Sequence, residues 1–154
     1  MKEPVVPRVG EAKRGEDGHI AYLLRQAAAS VRQRLERGFA ASGITLPQFT
    51  VLTMLKAYPG ISGADLARIA ILTPQTVNVI IANLLKRGAI KRVRSSLDKR
   101  VLVLTLTDAG TAYLARCQAI ADEMEQRLIE TIGARDEKAI RRWLVAAARE
   151  MDEG

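Results

Sequence analysis

At Gly88 the hydrophobic period of the chain changes, and it changes inside the densest block of positive charge. Before this point, apolar residues recur every three or four positions, the spacing of amphipathic helices. After it come Ile90-Lys-Arg-Val93-Arg94 and Arg100-Val-Leu-Val-Leu-Thr-Leu106. These are β-rich runs separated by the polar turn Ser95-Ser96-Leu97-Asp98. From Lys86 to Arg100 there are seven basic residues (Lys86, Arg87, Lys91, Arg92, Arg94, Lys99 and Arg100) against one acid, Asp98. Nearly all of the chain's net charge of +7 therefore lies on this hairpin and its approach. The pattern predicts a mainly α fold with one small, cationic β-hairpin. Phosphates attract such a block, and the counterions it displaces add favourable entropy.

The flanking segments follow helical spacing. Ile20, Leu24, Ala27, Ala28, Val31, Leu35 and Phe39 form one face of a helix over about 18–42, stopped by Ser42-Gly43. Pro47 suits the first turn of a second helix carrying Phe49, Leu52 and Leu55, which Pro59-Gly60 ends. Ser62 opens a short third helix, with Asp65 near its positive end. Thr73 is an N-cap with Pro74 at the first helical position, and Val77, Ile80, Ile81, Leu84 and Leu85 follow as one apolar face up to Gly88. Thr107-Asp108 caps a long helix to about residue 131. After Gly133 a last helix aligns Ile140, Leu144, Ala147 and Met151. Residues 1–17, with two Pro and two Gly and no period, are expected to be a mobile arm.

Several classes of function lack raw material. A single Cys, Cys117, excludes an intramolecular disulfide and a Cys-based zinc site, and a single His, His19, excludes a His cluster. His19 reads as a surface residue at a helix start. No apolar run approaches the roughly 18 residues of a membrane span, and the N-terminus lacks the apolar stretch of a signal peptide; a cytoplasmic protein is expected. There is no Gly-rich phosphate loop and no nucleophile with a base, so enzymatic turnover and cofactors are not expected.

Two short helices joined by the tight link Ile71-Leu72, followed by a basic hairpin, make a winged helix-turn-helix. The helix starting at Thr73 buries Val77, Ile80, Ile81 and Leu84 and leaves a polar tip, Thr73, Pro74, Gln75, Thr76 and Asn78, free to enter a major groove. Gln75 and Asn78 can pair bidentately with adenine, while Thr76 suits a phosphate or a thymine methyl. On the wing the candidate contacts are Arg92, Arg94, Ser95, Ser96, Lys99 and Arg100, aimed at a minor groove. Asp98 is expected to hold the turn and orient Arg100.

Three stretches together carry a family resemblance. They are Leu66-Ala-Arg-Ile-Ala-Ile-Leu-Thr-Pro-Gln-Thr-Val-Asn78, Leu84-Leu-Lys-Arg-Gly-Ala-Ile90, and Asp98-Lys-Arg100 followed by Val-Leu-Val-Leu-Thr-Leu-Thr-Asp-Ala-Gly110. The chain from about residue 18 onward resembles the MarR family of bacterial transcriptional regulators. The resemblance implies a homodimer, with residues 18–43 and 107–154 as a helical dimerisation lobe and residues 44–106 as the winged helix-turn-helix DNA-binding lobe. The two winged lobes would read a pseudo-palindromic double-stranded DNA operator, usually in repression. It also implies that Arg100 is the arginine entering the minor groove and Asp98 its orienting partner. Val79 and Ala82 depart from a frequent pattern of more polar residues on the reading helix.

Family members often release DNA when a small, commonly phenolic or aromatic, effector binds; Tyr22, Arg25 and Tyr58 are the candidate pocket residues. Others respond through an oxidised cysteine, but Cys117 falls on an apolar face, where a thiol acts as a small hydrophobe. Two alternatives remain: a sequence-nonspecific architectural DNA-binding protein, and a winged helix used for protein–protein contact.

Overall fold

The computed structural model describes residues 5–152 and places among them α1 (Ile20–Phe39), α2 (Leu46–Ala57), α3 (Gly63–Ile69), α4 (Pro74–Lys86), β1 (Ile90–Arg94), β2 (Leu102–Leu106), α5 (Asp108–Glu130) and α6 (Glu137–Asp152). Four of these helices start on a hydroxyl. Thr45, Ser62, Thr73 and Thr107 each accept a hydrogen bond from the backbone N–H three residues on, satisfying a donor that the helix itself cannot. At Thr45 the bond is reciprocated by Gln48, whose Oε1 accepts from the Thr45 N–H at 3.1 Å.

The two helices of the helix-turn-helix end alike. Ala89 N–H donates to the Leu84 carbonyl and Gly88 N–H to Leu85; Leu72 N–H donates to Ala67 and Ile71 N–H to Arg68. This pairing requires a left-handed residue just past the helix. At the end of α4 that residue is Gly88 (φ +67°); at the end of α3 it is Ile71 (φ +56°), a β-branched side chain where few are found.

The two strands pair antiparallel, from Ile90 opposite Leu106 to Arg94 opposite Leu102. The predicted second strand begins two residues later than Arg100, because Arg100 and Val101 belong to the turn.

A principal core joins Val51, Leu52 and Leu55 of α2, Leu66 and Ala67 of α3, Val77, Ile80, Ile81 and Leu84 of α4, Ile90 of β1 and Leu114 of α5. Each large aliphatic side chain taken out of water there contributes about 1.5–3 kcal/mol. A smaller cluster, Phe39, Ile44 and Cys117, seals the junction of α1, α2 and α5, with Phe39 packed on Phe49 at 5.0 Å between ring centroids. The start of α5 is fixed to the end of α4: Thr107 N–H donates to the Ala89 carbonyl and the Thr107 hydroxyl to Gly88. Gly110 lies so close to this strand start that a Cβ would be driven into the Ala89 carbonyl oxygen.

The ends of the chain behave differently. In α1 only Phe39 is buried, with Leu35 half-buried against its cluster, and in α6 no residue is, so the N-terminal part of the apolar face of α1 and the apolar face of α6 lack cover within one chain. Arg141 ties α6 to α5, donating to Glu137 on its own helix and to Glu125 at 2.7 Å. These bonds, Glu137 first, raise its pKa.

The N-terminal arm expected over residues 1–17 carries local structure in its described part. A 3-10 turn forms at Ala12–Arg14, and Arg14 grips α1: its Nε donates to Gln26 Oε1 while Gln26 Nε2 donates to the Arg14 carbonyl, both at 3.1 Å. Arg14 Nη1 also holds the Pro7 carbonyl at 2.8 Å. Order here comes from side-chain-to-backbone bonds, which leave no hydrophobic period to read. Residues 1–4 of the arm and 153–154 of the C-terminal segment lie outside the described residues.

Candidate nucleic-acid interface

The reading helix owes its exposed tip to its buried flank. Val77, Ile80, Ile81 and Leu84 fix one face of α4 in the core, so the opposite face and the first turn stand in solvent. Thr73, Pro74, Gln75, Thr76 and Asn78 are all exposed. The hydroxyls of Thr73 and Thr76 share a 2.8 Å hydrogen bond, so both serve the cap first. Gln75 and Asn78 have no side-chain partner among the described residues, which leaves their amides free for a ligand. Val79 and Ala82 are exposed as well, so half of this face offers shape rather than hydrogen bonds.

The wing turn is held from inside. Ser95 Oγ accepts from Leu97 N–H at 3.2 Å and Asp98 N–H at 3.5 Å; Asp98 Oδ1 accepts from the Arg100 N–H at 2.9 Å and from its Nε at 3.3 Å. Asp98 thus holds Arg100 by two bonds, with the Arg100 side chain 92% exposed beyond it. Arg94 Nη1 donates to the Lys99 carbonyl at 2.7 Å, so this arginine braces the turn. Arg92, Ser96 and Lys99 are exposed; Ser95 is half-buried, its hydroxyl spent on the turn.

Other candidates fare differently. Tyr22 and Arg25 border a cleft of about 280 Å³ beside Arg14 and Gln26. Tyr58, the C-cap of α2, does not border it and stands exposed beside Pro59-Gly60, so the three do not share one pocket within the chain. His19 is exposed at the start of α1. Cys117 is fully buried, its thiol donating to Ser42 Oγ at 3.5 Å. Among the described residues no group of three or more His, Cys, Asp or Glu could hold a metal ion, and no single helix is long and apolar enough to cross a membrane.

Sequence reasoning missed Arg87, read only as one cation of the basic block. Its Nη1 donates to the Gly43 carbonyl at 2.6 Å and its guanidinium lies 6.0 Å from the Tyr113 ring centroid, fastening α4 to the α1–α2 corner and to α5. Only the wide sequence separation of Arg87 and Gly43 hid it. Also missed was a cleft of about 270 Å³ between α1 and α5, where Arg34, Arg37 and Arg127 surround an apolar floor of Ile120 and Met124, with Glu123 paired to Arg127.

Comparison with known proteins fits this geometry. A model of the MarR family matches residues 42–101, the stretch from the α1–α2 corner through the first wing strand and the wing turn. An HTH-type transcriptional repressor of Mycobacterium tuberculosis is 34% identical over 129 residues, spanning 84% of this chain and 93% of the relative. The chain belongs to the MarR family. Among solved structures, the M. tuberculosis MarR-family protein in complex with salicylic acid superposes with a TM-score of 0.69 at 33% identity, covering 86% of this chain and 98% of that one. The repressor CouR bound to a 23-mer DNA duplex gives 0.75 at 32% identity, covering 90% and 99%. The MarR-family fold is thus matched over most of this chain and nearly the whole length of both solved chains.

Proposed function

We propose that this MarR-family chain is a cytoplasmic, homodimeric transcriptional repressor. It reads a pseudo-palindromic operator with the tip of α4 in the major groove and the wing in the minor groove. The observation that carries the reading is the pairing, on one lobe, of two free amides at the start of α4 with an arginine held out from the wing by Asp98. The similar repressor solved on a DNA duplex supports it. The uncovered apolar residues of the first half of α1 and of α6 support the dimer, and two lobes related by a two-fold axis suit two half-sites about one helical turn apart.

Release by a small aromatic acid is part of the proposal. The similar M. tuberculosis protein is solved with salicylic acid, and the α1–α5 cleft offers the matching chemistry: guanidiniums for a carboxylate and Ile120 and Met124 for a ring. No enzymatic turnover is expected.

The test is electrophoretic mobility shift and footprinting on DNA upstream of the protein's own gene, against random duplex, at several salt concentrations and with and without salicylate. A specific regulator prefers its operator by about a thousandfold or more, and Arg100→Ala weakens that binding while leaving the dimer intact. Equal affinity for random and upstream duplex, with a wide footprint, favours the architectural reading, towards which the exposed Val79 and Ala82 point. No binding to either defeats the proposal.

A further inference from the structure

Among the large apolar side chains described, Leu97 is the most exposed, at 97%, and it stands at the tip of the most cationic element of the chain. Single exposed leucines are ordinary on protein surfaces, but this one is presented by a built turn. Ser95 N–H donates to the Val101 carbonyl at 2.8 Å and Val101 N–H to Asp98 at 2.9 Å, closing the loop from both strands. Ser95 Oγ takes the N–H of Leu97 itself, Asp98 takes that of Arg100, and Arg94 clamps the Lys99 carbonyl. The backbone on either side of Leu97 is thus fixed by hydrogen bonds, and the side chain is set outward beside three cations, Arg94, Lys99 and Arg100.

A ligand complementary to this tip must be anionic where the cations reach and apolar where the leucine reaches. The minor groove of duplex DNA has that layout: phosphates along its rims and the C–H faces of deoxyribose on its walls. Apolar side chains are used there as wedges. We propose that Leu97 is a minor-groove contact, packing on the sugar walls beside Arg100 and supplying affinity that salt does not screen. This rests on the DNA-binding reading above and adds a residue that charge and hydrogen-bonding capacity do not reveal. The two side chains act through different physics. Arg100 acts by displacing counterions, so its loss flattens the dependence of affinity on salt. Leu97 acts by removing apolar surface from water, which carries no such dependence.

The experiment compares the full chain with Leu97→Ser, Leu97→Met and Arg100→Ala by fluorescence anisotropy. The probe is a labelled duplex from upstream of the protein's own gene, titrated over a series of potassium chloride concentrations. Circular dichroism and melting of Leu97→Ser should match the parent, since the side chain is almost wholly in solvent. The expected result is a loss of about tenfold or more for Leu97→Ser at every salt concentration, with the slope of log affinity against log salt unchanged. Leu97→Met should stay within about threefold of the parent. Arg100→Ala should lose affinity with a flatter slope. Parent-like binding by Leu97→Ser overturns the inference, and so does a loss that comes with a flatter slope, which would mean the cations had moved. A parent that ignores duplex DNA even at low salt overturns the functional reading itself, an outcome distinct from both.

Discussion

Asp98 accepts two hydrogen bonds from the same residue, one from the Arg100 backbone and one from its guanidinium. With the arginine so exposed, the ion pair is worth at most about 1 kcal/mol to the folded chain, and its effect lies in where it leaves Arg100. Asp98→Ala is therefore expected to lower affinity for operator DNA about fivefold, by anisotropy, with a melting temperature close to the parent's. A clear drop in melting temperature would instead make Asp98 a folding residue. Ile71 presents the opposite case. It is 91% exposed and left-handed, with its neighbours' hydrogen bonds fixing that conformation. A β-branched residue there loses about 1–2 kcal/mol relative to one that tolerates the region. Ile71→Asn is expected to stabilise the chain by about 1 kcal/mol in urea unfolding, since Asn accepts this conformation without glycine's unfolded-state entropy. At Gly88 the glycine itself announces the same turn. At Ile71 nothing in the residue type does, so the sequence marks the link but hides its strain.

At the scale of elements, what was legible followed from period and punctuation. Thr73-Pro74, Gly88 and Thr107 mark their boundaries because a hydroxyl, an imino acid or a missing Cβ does a local job that any fold must have done. The polar tip of α4 and the bracing of Arg100 by Asp98 could be anticipated for the same reason. Contacts between elements distant in sequence could not: Arg87 on Gly43, Arg14 on Gln26, and the α1–α5 cleft exist only once helices are packed. The docking of α5 on the end of α4 is the tightest of these contacts. Gly110→Ala must displace α5 from the Ala89 carbonyl and is expected to destabilise the chain by about 3 kcal/mol. Denaturant unfolding of this variant with the parent's midpoint would show that the helix start shifts freely. The α1–α5 cleft makes its own forecast: Arg34→Ala should weaken salicylate binding, by calorimetry, about tenfold, as removal of one charged partner of a carboxylate does.

At the scale of the whole molecule, the chain is unevenly finished. The helix-turn-helix and wing share a closed core with the start of α5, whereas α6 buries nothing and exposes Trp143, Leu144 and Val145. Residues 101–154 carry a net charge of −3 against the +6 of residues 86–100, so these two segments respond to a polyanion with opposite sign. In the proposed dimer α6 is covered by the partner copy. Leu144→Asp places a charge in that contact and is expected to yield a monomer by light scattering, with operator affinity falling by about a hundredfold or more, because two half-sites are no longer bound together. A dimer that survives this change would move the interface elsewhere.

The sole thiol of the chain sits sealed where α1, α2 and α5 meet. A sulfhydryl reagent can reach it only in the instants when that seam parts, so the speed at which Cys117 becomes labelled is a built-in clock for breathing between the reading lobe and its helical base. Any molecule that clamps the seam must slow that clock, whether or not it is the signal the cell employs.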